Sequence, residues 1–184
     1  MLLPIYLYNH PILRRKADQV ESVNDELIAF IENMFETMRN ANGIGLAANQ
    51  VGSGLAINVI DISELEEGAG TRPMTLINPV IEAFSDEECE HEEGCLSVPD
   101  LRDMVVRPNS IQLRFLDEKM REQQMEVSGL LARVMQHEVD HLNGIYFFEH
   151  FSAVKRALSK SKLRRIERGQ IEPDYEYVGA VQQP

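Results

Sequence analysis

Two histidines four residues apart, with a glutamate directly after the first, stand in the run Gln136-His137-Glu138-Val139-Asp140-His141. On a helix, His137 and His141 project from one face and can grip a single metal ion. Glu138 is then placed to take a proton from a water that the metal has made acidic, which is how a metal hydrolase makes a nucleophile at neutral pH. A five-residue pattern also arises by chance on surface helices, but the flanks argue for burial here. Leu130, Leu131, Val134, Met135 and Leu142 supply an apolar stripe, and polar residues carried into the interior need partners to offset their desolvation. Asn143-Gly144 follows with residues suited to a left-handed C-cap, so the helix ends there.

Two histidines leave a catalytic metal short of a third protein ligand. His150 lies nine residues past His141, followed by Phe151 and Ser152, without the glycine-turn context of extended zinc-protease patterns. Upstream stand Cys89, His91 and Cys95. Cys95 sits in Glu93-Gly94-Cys95-Leu96-Ser97, where the glycine lets the backbone bend and bring the sulfur close to another element. Cys89 falls inside the acidic run from Asp86 to Glu93, which reads as a solvated loop or edge. As a free cysteine it is read as a small hydrophobe, and Cys95 is preferred as the ligand.

A third segment, Gly43-Ile44-Gly45-Leu46-Ala47-Ala48-Asn49-Gln50, combines small residues that let another backbone approach closely with a terminal amide. In this order along the chain, the glycine–alanine segment, Glu-Gly-Cys-Leu-Ser and His-Glu-x-x-His resemble the peptide deformylase family, over roughly residues 1 to 168. The resemblance implies that Cys95, His137 and His141 are metal ligands, with water in the fourth position. Glu138 would remove a proton from that water and later deliver it to the departing amine. The Gln50 side-chain amide and the Leu96 N–H would face the formyl oxygen, and Gly45, with Ile44 beside it, would hydrogen-bond a peptide lying down like an added strand.

The implied activity is removal of the formyl group from N-formylmethionyl peptides of newly made proteins, with release of formate. One divalent cation would be the cofactor. The resemblance favours Fe(2+), while Zn(2+), Ni(2+) and Co(2+) accept the same ligands. A thiolate ligand separates this set from common metalloproteases, and a crowded acyl pocket would exclude anything larger than formyl. A small metallopeptidase using the same helix remains a competing reading, as does a non-catalytic metal-stabilised module that recognises amino termini.

Composition bounds the rest. The chain has 184 residues and 43% hydrophobic content, which suits a single catalytic domain over residues 1–184. A net charge of −12 argues against DNA or general nucleic-acid binding. Two cysteines, one of them a proposed ligand, suggest a reducing, cytoplasmic setting, and the start Met1-Leu2-Leu3-Pro4 is too short an apolar stretch for a signal peptide. No run is long enough to cross a membrane. The expected assembly is a monomer.

The elements that must position these groups follow from periodicity. Leu27, Ile28, Ile31, Met34, Phe35 and Met38 recur at helical spacing and predict a helix over 25–40, ended by Asn42-Gly43. Strand-like runs cover 55–61, 74–81, 111–116 and 123–127, with a hairpin turn at Asp117-Glu118-Lys119, and residues 63–73 read as a mobile loop. The fold class is α+β: antiparallel or mixed sheets packed around a central metal-binding helix, with a C-terminal helix. The resemblance implies the same fold.

That last helix, over 153–168, carries Lys155, Arg156, Lys160, Lys162, Arg164, Arg165 and Arg168 against one acid, Glu167. Its apolar stripe is read as Ala157, Leu158, Leu163 and Ile166, and Gly169 ends it. It is either a solvated face or a dock for ribosomal RNA near the exit of nascent chains. Residues 171–184 then form a tail of unknown role. Arg133 and His91 stand where they could border the pocket for the first substrate side chain, although the sequence favours an outward-pointing Arg133. Arg102 and Arg107 are placed to pair with carboxylates that position alone does not identify.

Overall fold

The first long helix begins where its sequence supplies a cap. In the computed structural model, which describes residues 1–179, α1 (Asp25–Asn40) opens on Asn24, whose side chain accepts from the Leu27 N–H at 2.8 Å. Asp25 and Glu26 then face the positive end of the helix dipole. The predicted stripe buries through Ile31, Met34 and Met38, and the chain leaves through a left-handed Asn42.

Among the described residues, nine strands make three sheets. A five-stranded antiparallel sheet runs in the order β2 (Gly45–Ala47), β3 (Ile57–Ile60), β4 (Met74–Phe84), β7 (Ser110–Leu116), β8 (Glu122–Ser128). The four predicted strands are β3, β4, β7 and β8. The β7–β8 turn is closed by Asp117, which accepts from the Lys119 and Arg121 N–H groups. A second antiparallel pair joins β5 (Glu88–Cys95) to β6 (Val98–Pro108), and a parallel pair joins β1 (Ile5–Tyr6) to β9 (Tyr177–Val178).

The β5–β6 hairpin corrects the reading of residues 86–93 as a solvated loop or edge. Alternation hides the strand in composition alone. Glu88, Glu90 and Glu92 fall on one face, and Cys89, His91 and Glu93 on the other, where Glu93 is buried.

Helix α2 (Gly129–Leu142) lies at the centre, with every residue from Ala132 to Val139 buried. Its apolar residues Ala132, Val134, Met135 and Val139 pack on Ile60, Leu76, Ile111, Leu113 and Phe115 of the large sheet. It stops at Asn143 and Gly144, whose φ of 73° is a left-handed conformation that favours glycine. The fold is therefore the expected α+β arrangement around this helix.

Helix α3 (Ala153–Glu167) packs through Ser159, Leu163 and Ile166, while Leu158 is 76% exposed and Ala157 is also exposed. The predicted stripe is thus right at Leu163 and Ile166 and wrong at Ala157 and Leu158. The one face that meets the body is set by the ring cluster of Tyr146, Phe147, Phe148 and Phe151, which Leu163, Ile166 and Ile171 cover. Each such burial stabilises by roughly 1.5–3 kcal/mol. Residues 171–179 are not a bare appendage, because Ile171 is buried and β9 is paired. Residues 180–184 of the expected tail lie outside the described residues.

Candidate active site

Helix α2 projects His137, Glu138 and His141 toward the end of β5, where a register shift after Gly94 turns Cys95 inward. One ligand atom from each of Cys95, His137 and His141 falls within 4.8 Å of the others. Cys95 Sγ lies 3.1 Å from His141 Nε2. The two imidazoles meet edge to face at 5.0 Å. The sequence therefore named three groups that the fold brings together.

The remaining candidate residues surround this centre. Gln50 sits in the short turn after β2, its Oε1 accepting from the Ala47 N–H at 2.8 Å and its Nε2 donating to Ser97 Oγ at 3.1 Å. The same Nε2 lies 3.5 Å from Cys95 Sγ. Leu96 follows Cys95 in the turn to β6. Ile44 and Gly45 lead into β2, the end strand of the large sheet. Gly45 leaves no room for a side chain: a Cβ there would come within 2.8 Å of Glu138 Cδ. That glycine is what lets the Glu138 carboxyl lie against the strand. These residues line one cleft of about 630 Å³.

Glu138 is buried and its Oε2 has no hydrogen-bond partner. Burial pushes its carboxyl up to about 7, with the charge on His137 opposing the rise and Glu93 adding to it. His137 is oriented from behind by Glu93, whose Oε2 lies 2.9 Å from Nδ1, so that Nε2 is free to face the centre. Burial works against charge on His137, but hydrogen bonds to Cys95 and Glu93 hold it well above the ordinary imidazole value. His141 is held well below that value by burial and then by the charge on His137. Two imidazole nitrogens and a soft sulfur form a donor set that fits one borderline divalent cation, and the orphaned Glu138 oxygen lies beside them.

Glu93 is the residue that sequence reasoning missed. Arg107 donates to it twice, through Nε at 2.7 Å and Nη2 at 3.0 Å, and Arg133 donates through Nη1 at 2.9 Å. Burial alone would raise this carboxyl, yet the hydrogen bonds from His137 and Arg107 hold it well below the ordinary carboxylate range. Arg107 continues to Asp140 at 2.6 Å, and Asp140 to His150 at 2.7 Å.

Arg133 does not point outward. It is 3% exposed and also donates to the Val105 and Cys89 carbonyls, because a buried carboxylate offers a guanidinium more than water does once the helix is enclosed. It lines the cleft, whereas His91 stands outside it, 3.9 Å from Glu67. Arg102 pairs loosely with Glu92 at 3.9 Å. Cys89 is half-buried, with its sulfur 3.2 Å from Arg133 Nη2. His150 is tied to Asp140 and lies apart from the Cys95, His137 and His141 cluster.

The tail also enters the site. Tyr175 lines the cleft and donates its hydroxyl to the Leu96 carbonyl at 2.6 Å. Burial, and then Cys95, hold its phenol well above the ordinary value, so it stays a donor.

An α+β fold that gathers a cysteine, two histidines and a buried carboxyl, with Cys95, His137 and Glu138 lining a cleft, suits a hydrolase. Comparison with known proteins narrows the class. Residues 2–157 match the family model of polypeptide deformylase. The chain belongs to that family, hydrolases acting on N-formyl amides. It is 43% identical to a peptide deformylase of Salinibacter ruber, with 97% of this chain and 95% of that one aligned. A second relative, the peptide deformylase of Chlorobium limicola, is 44% identical over 97% of this chain and 96% of its own length.

Among solved structures, a peptide deformylase from Legionella pneumophila superposes with a TM-score of 0.82 at 38% identity, covering 92% of this chain and 98% of the other. One from Synechococcus elongatus, in complex with actinonin, gives 0.78 at 38% identity over 87% and 85%. Among the described residues, no helix is long and apolar enough to cross a membrane.

Proposed function

We propose that this protein removes the formyl group from N-formylmethionyl peptides of newly made proteins, releasing formate and a free amino terminus. The observation that carries the reading is the convergence of the Cys95, His137 and His141 ligand atoms within 4.8 Å, beside a buried Glu138 oxygen with no partner. Those three residues would hold one divalent cation. Fe(2+) is the choice the family resemblance favours, and Zn(2+), Ni(2+) or Co(2+) suit the same donors. When bound, such an ion makes water acidic and polarises a carbonyl oxygen.

The chain's own groups do the rest. Glu138 takes the proton from the attacking water and returns it to the departing amine, a task for which a carboxyl raised toward neutral pH is suited. Gln50 Nε2 and the Leu96 N–H meet the charge that develops on the formyl oxygen, each worth about 3–4 kcal/mol of barrier by analogy with other oxyanion donors. Ile44 and Gly45 hold the peptide backbone along the outer edge of β2. Glu138 packed against Gly45 crowds this part of the cleft, which suits an acyl carbon bearing only hydrogen.

On this reading the whole chain, residues 1–184, is one catalytic domain acting as a monomer in the cytoplasm. α3 is then its dock on the ribosome. Lys160, Arg164 and Arg165 are exposed and, among the described residues, form no ion pair, while Lys155 and Lys162 are tied to the body through Met104 and Asp100 carbonyls.

The deciding experiment gives the metal-loaded protein a formylmethionyl peptide, its acetylated twin and the free peptide. Formate release from the first alone is the expected result. Release of an amino acid instead would favour the peptidase reading, and binding without turnover a recognition module.

A further inference from the structure

Tyr175 reaches the cleft from a segment outside residues 2–157, the span that matches the family model. The segment is pinned on both sides. Ile171 is buried in the ring cluster, and past Tyr175 the strand β9 lies along β1, with the Ile5 N–H donating to Glu176 O at 2.9 Å and the Leu7 N–H to Val178 O at 2.9 Å. Between these anchors the Tyr175 ring packs with Leu96 on the core beneath α1, and its hydroxyl meets the Leu96 carbonyl at 2.6 Å.

The Leu96 N–H lies in the Cys95–Leu96 peptide plane, and the two backbone dihedrals of Leu96 set its direction relative to the plane that follows. In the turn from Cys95 to Val98 the plane after Leu96 is held at its oxygen by Tyr175. The next carbonyl, that of Ser97, accepts from the Tyr8 N–H at 2.7 Å. Both tethers come from outside the turn. A preorganised donor is worth most when nothing must move as charge develops.

We propose that Tyr175 is a positioning residue: its hydroxyl fixes the Leu96–Ser97 peptide and so limits the rotation about the Leu96 backbone through which the N–H of the Cys95–Leu96 peptide is aimed at the scissile carbonyl. The inference rests on the deformylase reading for what that N–H does, and on geometry alone for what holds it.

Tyr175→Phe keeps the ring and removes the hydroxyl. In the full-length, metal-loaded protein we expect kcat for a formylated tripeptide to fall about five- to tenfold, the worth of one hydrogen bond. KM should stay within about twofold, the order parameter of the Leu96 N–H from NMR relaxation should fall, and the melting temperature should hardly move. Tyr177→Phe, in β9 and away from the cleft, should leave all four at the unmodified values. Unchanged kcat in Tyr175→Phe overturns the proposal. So does a rise in KM with kcat preserved, or a loss of kcat with an unchanged Leu96 order parameter. If the unmodified protein releases no formate, the deformylase reading has failed on its own account, and the Leu96 order parameter then decides: an unchanged value in Tyr175→Phe overturns the hold on the turn, and a lower one sustains it.

Discussion

Glu138 is a carboxylic acid enclosed by protein, with one oxygen unpartnered and a glycine backbone pressed against it. The role proposed for it as base and acid makes a specific demand on substitution. Glu138→Gln keeps size and hydrogen bonding, so metal content should be retained while formate release falls about a hundred- to ten-thousandfold. Near-normal turnover by a metal-replete variant would remove Glu138 from the mechanism. The two cysteines allow an internal contrast. Cys95 lies among the imidazoles, whereas Cys89 faces Arg133 on the far side of Glu93. Cys95→Ser should lose metal at neutral pH, because a serine hydroxyl is not ionised there and is a harder donor, and Cys89→Ser should not. Elemental analysis after desalting measures both, and equal occupancy would mean that the sulfur ligand is wrongly assigned.

At the scale of elements, the site is a meeting of three. Helix α2 supplies the imidazoles and Glu138, the β5–β6 hairpin supplies Cys95, Leu96 and Glu93, and β2 with its following turn supplies Gly45 and Gln50. Periodicity made α1, α2, β4 and β7 readable, since each repeats an apolar residue at the spacing of its own geometry. It failed at β5, where an acidic exposed face alternates with Cys89, His91 and Glu93 and only docking on α2 distinguishes Glu92 from Glu93. Helix α3 belongs to this scale too. Its packed face is narrow, and Lys160, Arg164 and Arg165 point away from the body. Reversing those three charges should therefore leave deformylation of a short free peptide intact while weakening ribosome binding and flattening its salt dependence. Cosedimentation across a salt series tests this, and indistinguishable binding would reduce the helix to a solvated face.

The molecule as a whole is strongly acidic, at −12, yet its interior holds two guanidinium groups on one carboxylate. Glu93 and Asp140 are both held below their ordinary values, so the stability they contribute is fully present above the unfolded carboxylate range near pH 4 and is lost as pH falls toward the folded values. Melting of the metal-free protein between pH 6 and 2 should accordingly fall more steeply with acid for the unmodified chain than for Glu93→Gln. That variant should also be about 3–5 kcal/mol less stable at neutral pH, because it strands buried guanidinium charge. Parallel curves would show that Glu93 is not the linkage. The chain's sequence by itself determined the helix that carries His137 and His141, its C-terminal cap and the order of the three motifs, because each depends on residues that are neighbours in the chain or on their order along it. Tertiary structure alone decided that Glu93 rather than its neighbour orients His137, that Arg133 turns inward, and that Tyr175 comes to lie on Leu96, 79 residues away in the chain. Those choices depend on burial and on partners from distant elements. Neither exists until the hairpin and the tail have packed against the central helix and first strand.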